Sequence, residues 1–296
     1  MNKLNLGYKQ LNAYADYVIV QDNIVTENGE TLYQSEQKSE LSLDVISISS
    51  GGSATLRFVL RDVDYSEGED PTEDPTPFFI KRYTDILSDI FKKIEMRIDN
   101  CGHVLSVENL KEMEDSWRLM KDDIFENNQT FTIQEKENII KSVTDAFKEP
   151  SVLVEKLCQV SHLKYLLQDF YGVDMEVGKE ETPGDKIFDS IALSNFQVPL
   201  KMTRYLEEIS LEKGECEISI YGILDIDKLD FKVLLERANE ALQLEYFDSY
   251  NYYFDIMYIV DIKTGLIKSA DIEIEETFND DLLYKIDQFI CAKNTL

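Results

Sequence analysis

Cysteine is scarce in this chain of 296 residues, which holds Cys101, Cys158, Cys216 and Cys291. No two of them are close enough in sequence to form a C-x-x-C pair, and a secreted scaffold held by disulfides would contain cysteine at higher density. The four thiols are therefore expected to be reduced and mostly buried, as free cysteines usually are. This pattern favours a protein of the reducing cytoplasm.

Long apolar runs are also missing. No stretch approaches the roughly 18 consecutive apolar residues of a membrane helix. The first ten residues lack the apolar region of a secretory signal peptide, although a chain already trimmed of its leader would look the same. The sequence therefore predicts a soluble chain that does not enter a membrane.

Motifs of catalysis and cofactor binding are equally rare. Neither glycine-rich phosphate-binding pattern occurs, G-x-G-x-x-G or G-x-x-x-x-G-K-[ST]. Cys158 and His162 are four residues apart on a predicted helix and could form a dyad or half a zinc site, but zinc would need two further ligands. Lys263-Thr264-Gly265 matches a β-lactamase element and is interpreted as a turn. We therefore predict no enzyme activity, catalytic residue, cofactor or metal.

Negative charge is what the chain has in excess. There are 58 acidic residues against 30 basic ones, a formal charge of -28 and a pI near 4.4. Such a surface repels phosphate backbones and anionic lipids, which argues against direct binding of nucleic acid or membrane. Hydrophobic residues make up 43% of the chain, enough for a packed core.

The densest acidic segment is residues 62–77, with seven carboxylates and three prolines. This composition predicts an exposed loop. An EF-hand beginning at Asp62 would need glycine at its sixth position, where Glu67 stands, so only loose Ca²⁺ binding stays open as an alternative. We hypothesise that the loop contacts a partner through Asp62, Asp64, Glu67, Glu69, Asp70, Glu73 and Asp74. The carboxylates near Glu112, Glu114 and Asp115 are the second choice.

Strand signals fill the first 65 residues, with turns at Asn28-Gly29 and Gly51-Gly52. The middle of the chain is predicted to be helical. One apolar face repeats at helical spacing through Leu110, Met113, Trp117, Met120 and Ile124. A capping box of Thr132 and Glu135 precedes a second helix, and a third runs from Ser151 to a stop at Gly172.

Strand signals return after residue 190. Asp230 is predicted to cap a helix, and a strand over Tyr252–Asp261 is predicted to turn at Gly265 and return. On the returning strand, carboxylates alternate with Ile272 and Ile274, which predicts one buried and one solvated face; they are Asp271, Glu273 and Glu275. Asn279 is predicted to start a closing helix that carries Leu282, Leu283, Ile286 and Phe289.

These elements predict an α+β fold, in which antiparallel sheets from the N- and C-terminal segments pack on a central group of α-helices. The chain is divided into two halves that could be similar, residues 1–172 and 191–296. Residues 173–190 are polar and are interpreted as a linker. A single continuous domain is the alternative.

The predicted function is that of a non-enzymatic cytoplasmic protein-binding module, such as an inhibitor, immunity, adaptor or chaperone-like protein. Its acidic surface would bind a partner with a basic patch, because unlike charge steers association. One alternative is a nucleic-acid mimic that blocks a basic groove. Another is a carrier of an apolar or lipid-like ligand in a cavity between sheet and helices, a fold pattern that resembles bacterial lipoprotein-carrier proteins without a shared motif.

Overall fold

The computed structural model describes residues 2–67, 91–127, 132–159, 161–194, 196–244 and 246–295. Strands dominate them. In chain order the strands are β1 Lys3–Asn5, β2 Tyr14–Glu27, β3 Glu30–Ile48, β4 Ala54–Glu67, β5 Lys93–Ile98, β6 Val104–Val107, β7 Asp174–Glu176, β8 Glu180–Asp189, β9 Gln197–Ser210, β10 Glu215–Leu224, β11 Tyr250–Asp261, β12 Ile267–Phe278 and β13 Leu282–Thr295.

The helices lie mainly in one segment of the chain. They are α1 Leu110–Asn127, α2 Ile133–Lys148, α3 Pro150–Gln159, α4 Ser161–Lys164 and α5 Phe231–Leu242, with a 3₁₀ turn at Ile226–Lys228. Among the described residues, strands far outnumber helices. The predicted α+β fold with a central group of helices is therefore wrong, and the protein is mostly β.

The main sheet is antiparallel and has eleven strands in the order β6-β5-β4-β3-β2-β13-β12-β11-β10-β9-β8. The first long strand, β2, pairs with the last, β13, so one sheet joins the N- and C-terminal segments of the chain. Residues 173–190 contain β7, which pairs with β1, and β8, which pairs with β9. The division of the chain into domains stays a prediction.

The closing helix predicted from Asn279 is also wrong, because this segment is the turn before β13. Asn279 and Asp280 both have positive φ, which suits a tight hairpin turn. Leu282 then pairs with Phe278, and β13 continues antiparallel to β12. The apolar residues that fit a helical repeat also fit alternation along a strand, and pairing with β12 and β2 decides between the two.

One face of the sheet, called the inner face below, carries the core. On β12 the alternation is as predicted, since Ile272 and Ile274 are both buried. The helical stripe of α1 is partly confirmed: Met113 and Trp117 are buried, Leu110 and Met120 are half-buried, and the side chain of Ile124 lies outside the described residues. The Trp117 indole donates to Thr144 Oγ1 on α2 at 3.1 Å, which ties the two helices together.

The chain that follows α4 crosses the inner face and is anchored by aromatic residues. Tyr258 of β11 donates to the Tyr165 carbonyl at 3.2 Å, and the Phe170 and Tyr258 ring centroids are 5.3 Å apart. The Tyr171 hydroxyl donates to the Gly265 carbonyl at 2.9 Å, in the turn between β11 and β12. The predicted third helix therefore ends well before Gly172, and an irregular segment covers the sheet.

None of the helices in the described part of the chain combines the length and the apolar character needed to cross a membrane.

Candidate functional site

The opposite face of the sheet, the outer face, carries a row of carboxylates. Strand register places five acidic residues directly opposite one another on five adjacent strands: Asp255 on β11, Glu273 on β12, Asp287 on β13, Asp22 on β2 and Glu36 on β3. Because neighbouring strands are about 4.8 Å apart, the row extends about 19 Å across the sheet. We call these five residues the carboxylate row.

Like charges directly opposite one another repel, so the row costs folding free energy. Lys285 offsets part of that cost: its ammonium contacts Glu273, and it lies 3.2 Å from Asp287 and 3.4 Å from Glu275. Within the described residues, Asp22 and Glu36 form no ion pair with a basic side chain. The row therefore keeps a strong excess of negative charge.

Asp255 ends the row on β11 and is half-buried. Burial raises the pKa of its carboxyl group, and Glu273 raises that pKa further, whereas the hydrogen bond from Tyr253 opposes the rise. The Tyr253 hydroxyl donates to Asp255 Oδ2 at 3.0 Å. A cation bound beside Asp255 would therefore favour the ionised form of its carboxyl group.

Apolar side chains flank the carboxylate row. The next row along the strands places Met257, Phe289 and Val20 on the same face, with Asp271 between the first two. Met257 and Phe289 are each 44% exposed, so two large apolar side chains are accessible to solvent beside the carboxylate row. A groove of about 390 Å³ runs between the two rows. We call the carboxylate row and these apolar residues together the acidic face.

Two of the seven predicted contact residues lie on the outer face of the sheet, next to the acidic face but not part of it. Asp62 and Asp64 are exposed on β4, opposite Glu40 and Lys38 of β3, so this part of the predicted loop is a strand. Glu67 ends β4, and its side chain lies outside the described residues. The others, Glu69, Asp70, Glu73 and Asp74, fall in residues 68–90, also outside them. Whether any of the seven contacts a partner stays a prediction.

Sequence reasoning missed the carboxylate row itself. Asp271, Glu273 and Glu275 were assigned to a solvated strand face, but members of the row come from segments as distant as Asp22 and Asp287. Only the pairing of β2 with β13 brings these two opposite each other. A signal was available on β11 and β12, where Asp255 and Glu273 alternate with buried apolar neighbours, whereas Asp22 and Glu36 have polar neighbours on both sides.

The other candidate chemistry gains nothing from the structure. Cys158 is half-buried, and burial raises the pKa of its thiol, which is the opposite of nucleophile activation. The side chain of His162 lies outside the described residues. In the described residues, no three His, Cys, Asp or Glu side chains are grouped so as to hold a metal ion.

Gly265 has φ of +79°, and a Cβ there would lie 2.2 Å from the Gly7 carbonyl oxygen, so Lys263-Thr264-Gly265 is a turn.

Comparisons with known proteins do not identify the chain. No protein-family model matches it, and no curated protein does. Among solved structures it is similar to DynF from the dynemicin biosynthesis pathway of Micromonospora chersina, with 7% identity, a TM-score of 0.23, and coverage of 99% of this chain and 89% of that one. A likeness at that level carries no argument about fold or function.

Proposed function

We propose that this protein is a non-enzymatic binding module of the cytoplasm and that its acidic face contacts a partner protein with a basic, partly apolar patch. The supporting observation is the carboxylate row, in which five carboxylates lie opposite one another on adjacent strands and are bordered by Met257 and Phe289. In the described residues, Lys285 forms ion pairs with two of the five, Glu273 and Asp287. A row of like charge lowers stability, so its presence is explained if a partner neutralises it. A generally acidic composition would not require charges directly opposite one another.

The two parts of the acidic face have different roles in this proposal. The carboxylates attract a basic partner over the screening length, about 10 Å at 0.1 M salt, and so raise the association rate. The exposed side chains of Met257 and Phe289 lose contact with water in the complex and so slow dissociation. The partner's complementary surface is therefore a line of lysine or arginine side chains beside an apolar strip.

The test uses the full chain as bait, followed by kinetics with the partner that is captured. The row variant combines Asp22→Asn, Asp255→Asn and Asp287→Asn. The matched control combines Glu212→Gln, Glu236→Gln and Glu240→Gln, because these three carboxylates are exposed in the turn after β9 and on α5, away from the predicted contact residues, and the change in net charge is the same. Association and dissociation rates are measured by surface plasmon resonance from 50 to 500 mM salt.

The row variant is expected to associate roughly tenfold more slowly at low salt, and the control less than twofold more slowly. Phe289→Ala is expected to raise the dissociation rate and leave the association rate unchanged. Equal slowing by both triple variants would show that net charge alone matters, and an association rate indifferent to salt and to the row variant would contradict the proposal. Displacement of the partner by duplex DNA would favour the nucleic-acid mimic.

A further inference from the structure

A cleft of about 560 Å³ lies on the inner face of the sheet and shares no lining residue with the acidic face. Its rim comprises α3, the segment around Lys164–Asp169, the turn before β6 and the end of β8. Strands β6 and β8 are the two edges of the main sheet, so the sheet curves until both edges border one cleft. The volume falls within the range of about 300–1,000 Å³ that is usual for small-molecule sites.

The turn before β6 reaches the cleft because it contains glycine. Gly102 has φ of +86°, and a Cβ there would lie 2.0 Å from the Gln168 carbonyl oxygen. A larger residue would push this edge away from the segment after α4. The mouth of the cleft is thus held in place by backbone contact.

The floor of the cleft is apolar. It consists of buried side chains of the three strands next to the β8 edge, with Met202 on β9, Ile220 on β10, and Phe254 and Ile256 on β11. The Phe188 ring of β8 leans over them, with its centroid 4.6 Å from that of Phe254. An apolar molecule in the cleft would contact these side chains where they border it, beside polar lining residues such as Glu155 and Gln197.

The cationic groups of the cleft differ in whether they are neutralised. Lys186 Nζ lies 2.6 Å from Asp169 Oδ2, and the buried Arg204 guanidinium lies 3.7 Å from the other oxygen of the same carboxylate. These charges are already matched. In the described part of the chain, by contrast, no hydrogen bond or ion pair reaches the ammonium of Lys164.

Lys164 Nζ lies instead 5.4 Å from the ring centroids of both Tyr165 and Phe188. Burial lowers the pKa of Lys164, and Asp189 at the exposed rim counteracts that effect. Contact with two aromatic rings stabilises the ammonium less than the water that burial removes. A bound anion would stabilise it more strongly, through a charge-assisted hydrogen bond. The same two rings line the cleft. A ligand whose anionic group binds Lys164 would therefore place its next, apolar atoms against these rings.

We infer that the cleft binds a small molecule with an apolar body and one anionic head group, in which the ammonium of Lys164 holds the anion and the floor of Met202, Ile220, Phe254 and Ile256 contacts the apolar body. A long-chain carboxylate has this chemistry. The proposal is independent of partner binding by the acidic face, because no residue is shared between the two sites.

The test compares an anionic ligand with a neutral one of equal chain length. Because the protein has a net charge of -28 and repels anions, tighter binding of the anionic ligand would require a local positive site. Dodecanoate and dodecanol, which have equal chain length, are titrated below their aggregation concentrations in separate calorimetric experiments. Dodecanoate is expected to bind roughly tenfold tighter than dodecanol, against the overall charge. Equal affinities, or failure of both compounds to bind, would overturn the inference.

Substitutions then test whether the anionic head group binds at Lys164. Lys164→Met should abolish the preference for dodecanoate and leave dodecanol binding within about twofold. Lys164→Arg should preserve the preference, and Lys263→Met, which removes an exposed lysine in the turn before β12, should not alter it. Asp189→Asn should strengthen dodecanoate binding about threefold by removing a competing charge at the rim. A preference that persists in Lys164→Met, in protein whose thermal unfolding shows that it is folded, would overturn the assignment.

Discussion

Glu275 and Glu276 are neighbours on β12 and lie on opposite faces of the sheet. Glu275 is half-buried on the outer face, 3.4 Å from Lys285. Glu276 is completely buried on the inner face, where it accepts hydrogen bonds from the Ser190 and Tyr250 hydroxyls and from two backbone N–H groups at Ile191 and Ala192, all at 2.7–3.0 Å. The charge of Glu275 is stabilised by one flexible lysine side chain, whereas that of Glu276 is stabilised by hydrogen-bond donors that the fold holds in place.

This difference distinguishes charged side chains that stabilise the fold from charged side chains that the fold does not need. Burial raises the pKa of Glu276, while its hydrogen bonds favour the ionised form. The bonds from Ser190, Ile191 and Ala192 hold the chain between β8 and β9 against β12. The carboxylate row and Lys164 have no such set of partners in the described residues. Charges that the fold does not hold with fixed donors are better explained by binding than by stability.

The first prediction contrasts these neighbours directly. Glu276→Ala is expected to lower the free energy of unfolding by about 3 kcal/mol, because it leaves buried N–H and hydroxyl donors without an acceptor. Glu275→Ala should change it by less than about 0.5 kcal/mol, since it removes one contact of a lysine that keeps two others. Urea denaturation of both variants measures the contrast, and equal losses would show that the two faces do not differ in this way.

Much of the fold could be predicted wherever local chemistry decides it. Asn28 and Gly29 both have positive φ in the turn between β2 and β3, as the residue pair implies. Asp230 caps α5 as predicted, accepting from the N–H groups of Lys232 and Val233, each at 3.1 Å. The last strand could not be predicted, because its apolar spacing suits helix and strand alike and only distant pairing decides between them.

The two candidate sites could not be predicted for the same reason. Asp22 and Asp287 are far apart in sequence and meet through the register of β2 with β13. Lys164 is separated from Phe188 by β7 and a turn, and its lack of a carboxylate partner in the described residues is a property of the folded chain. Composition indicated an acidic surface but placed its centre at residues 62–77, of which only the first part lies on the described outer face.

The second prediction concerns the inner face. Lys164→Met should raise the free energy of unfolding at pH 7 by roughly 1 kcal/mol, because it removes a charge that burial disfavours. Since the pKa of Lys164 is lower in the folded protein, its penalty is complete below the folded pKa and disappears as pH rises toward the unfolded value. The advantage of Lys164→Met should therefore shrink toward pH 10.

Chemical denaturation at pH 7, 8.5 and 10 measures this difference, with Lys263→Met as the exposed control. A loss of stability in Lys164→Met at pH 7 would mean that the ammonium has a structural partner, and the contrast with the matched Lys186 would no longer hold.

The smallest effect is expected on the outer face, from a single member of the carboxylate row. Asp22 lies directly between Glu36 and Asp287, so Asp22→Asn should raise the free energy of unfolding by about 0.5 kcal/mol at low salt. Asp271→Asn is the matched control, because Asp271 lies opposite Met257 and Phe289 and has no carboxylate directly across from it. In 1 M salt the screening length falls to about 3 Å, so the gain should disappear. Guanidinium is itself a salt, so urea is the denaturant for this measurement. If Asp22→Asn and Asp271→Asn gave the same gain, the repulsion would come from net charge, and the row would lose its distinction from the rest of the acidic surface.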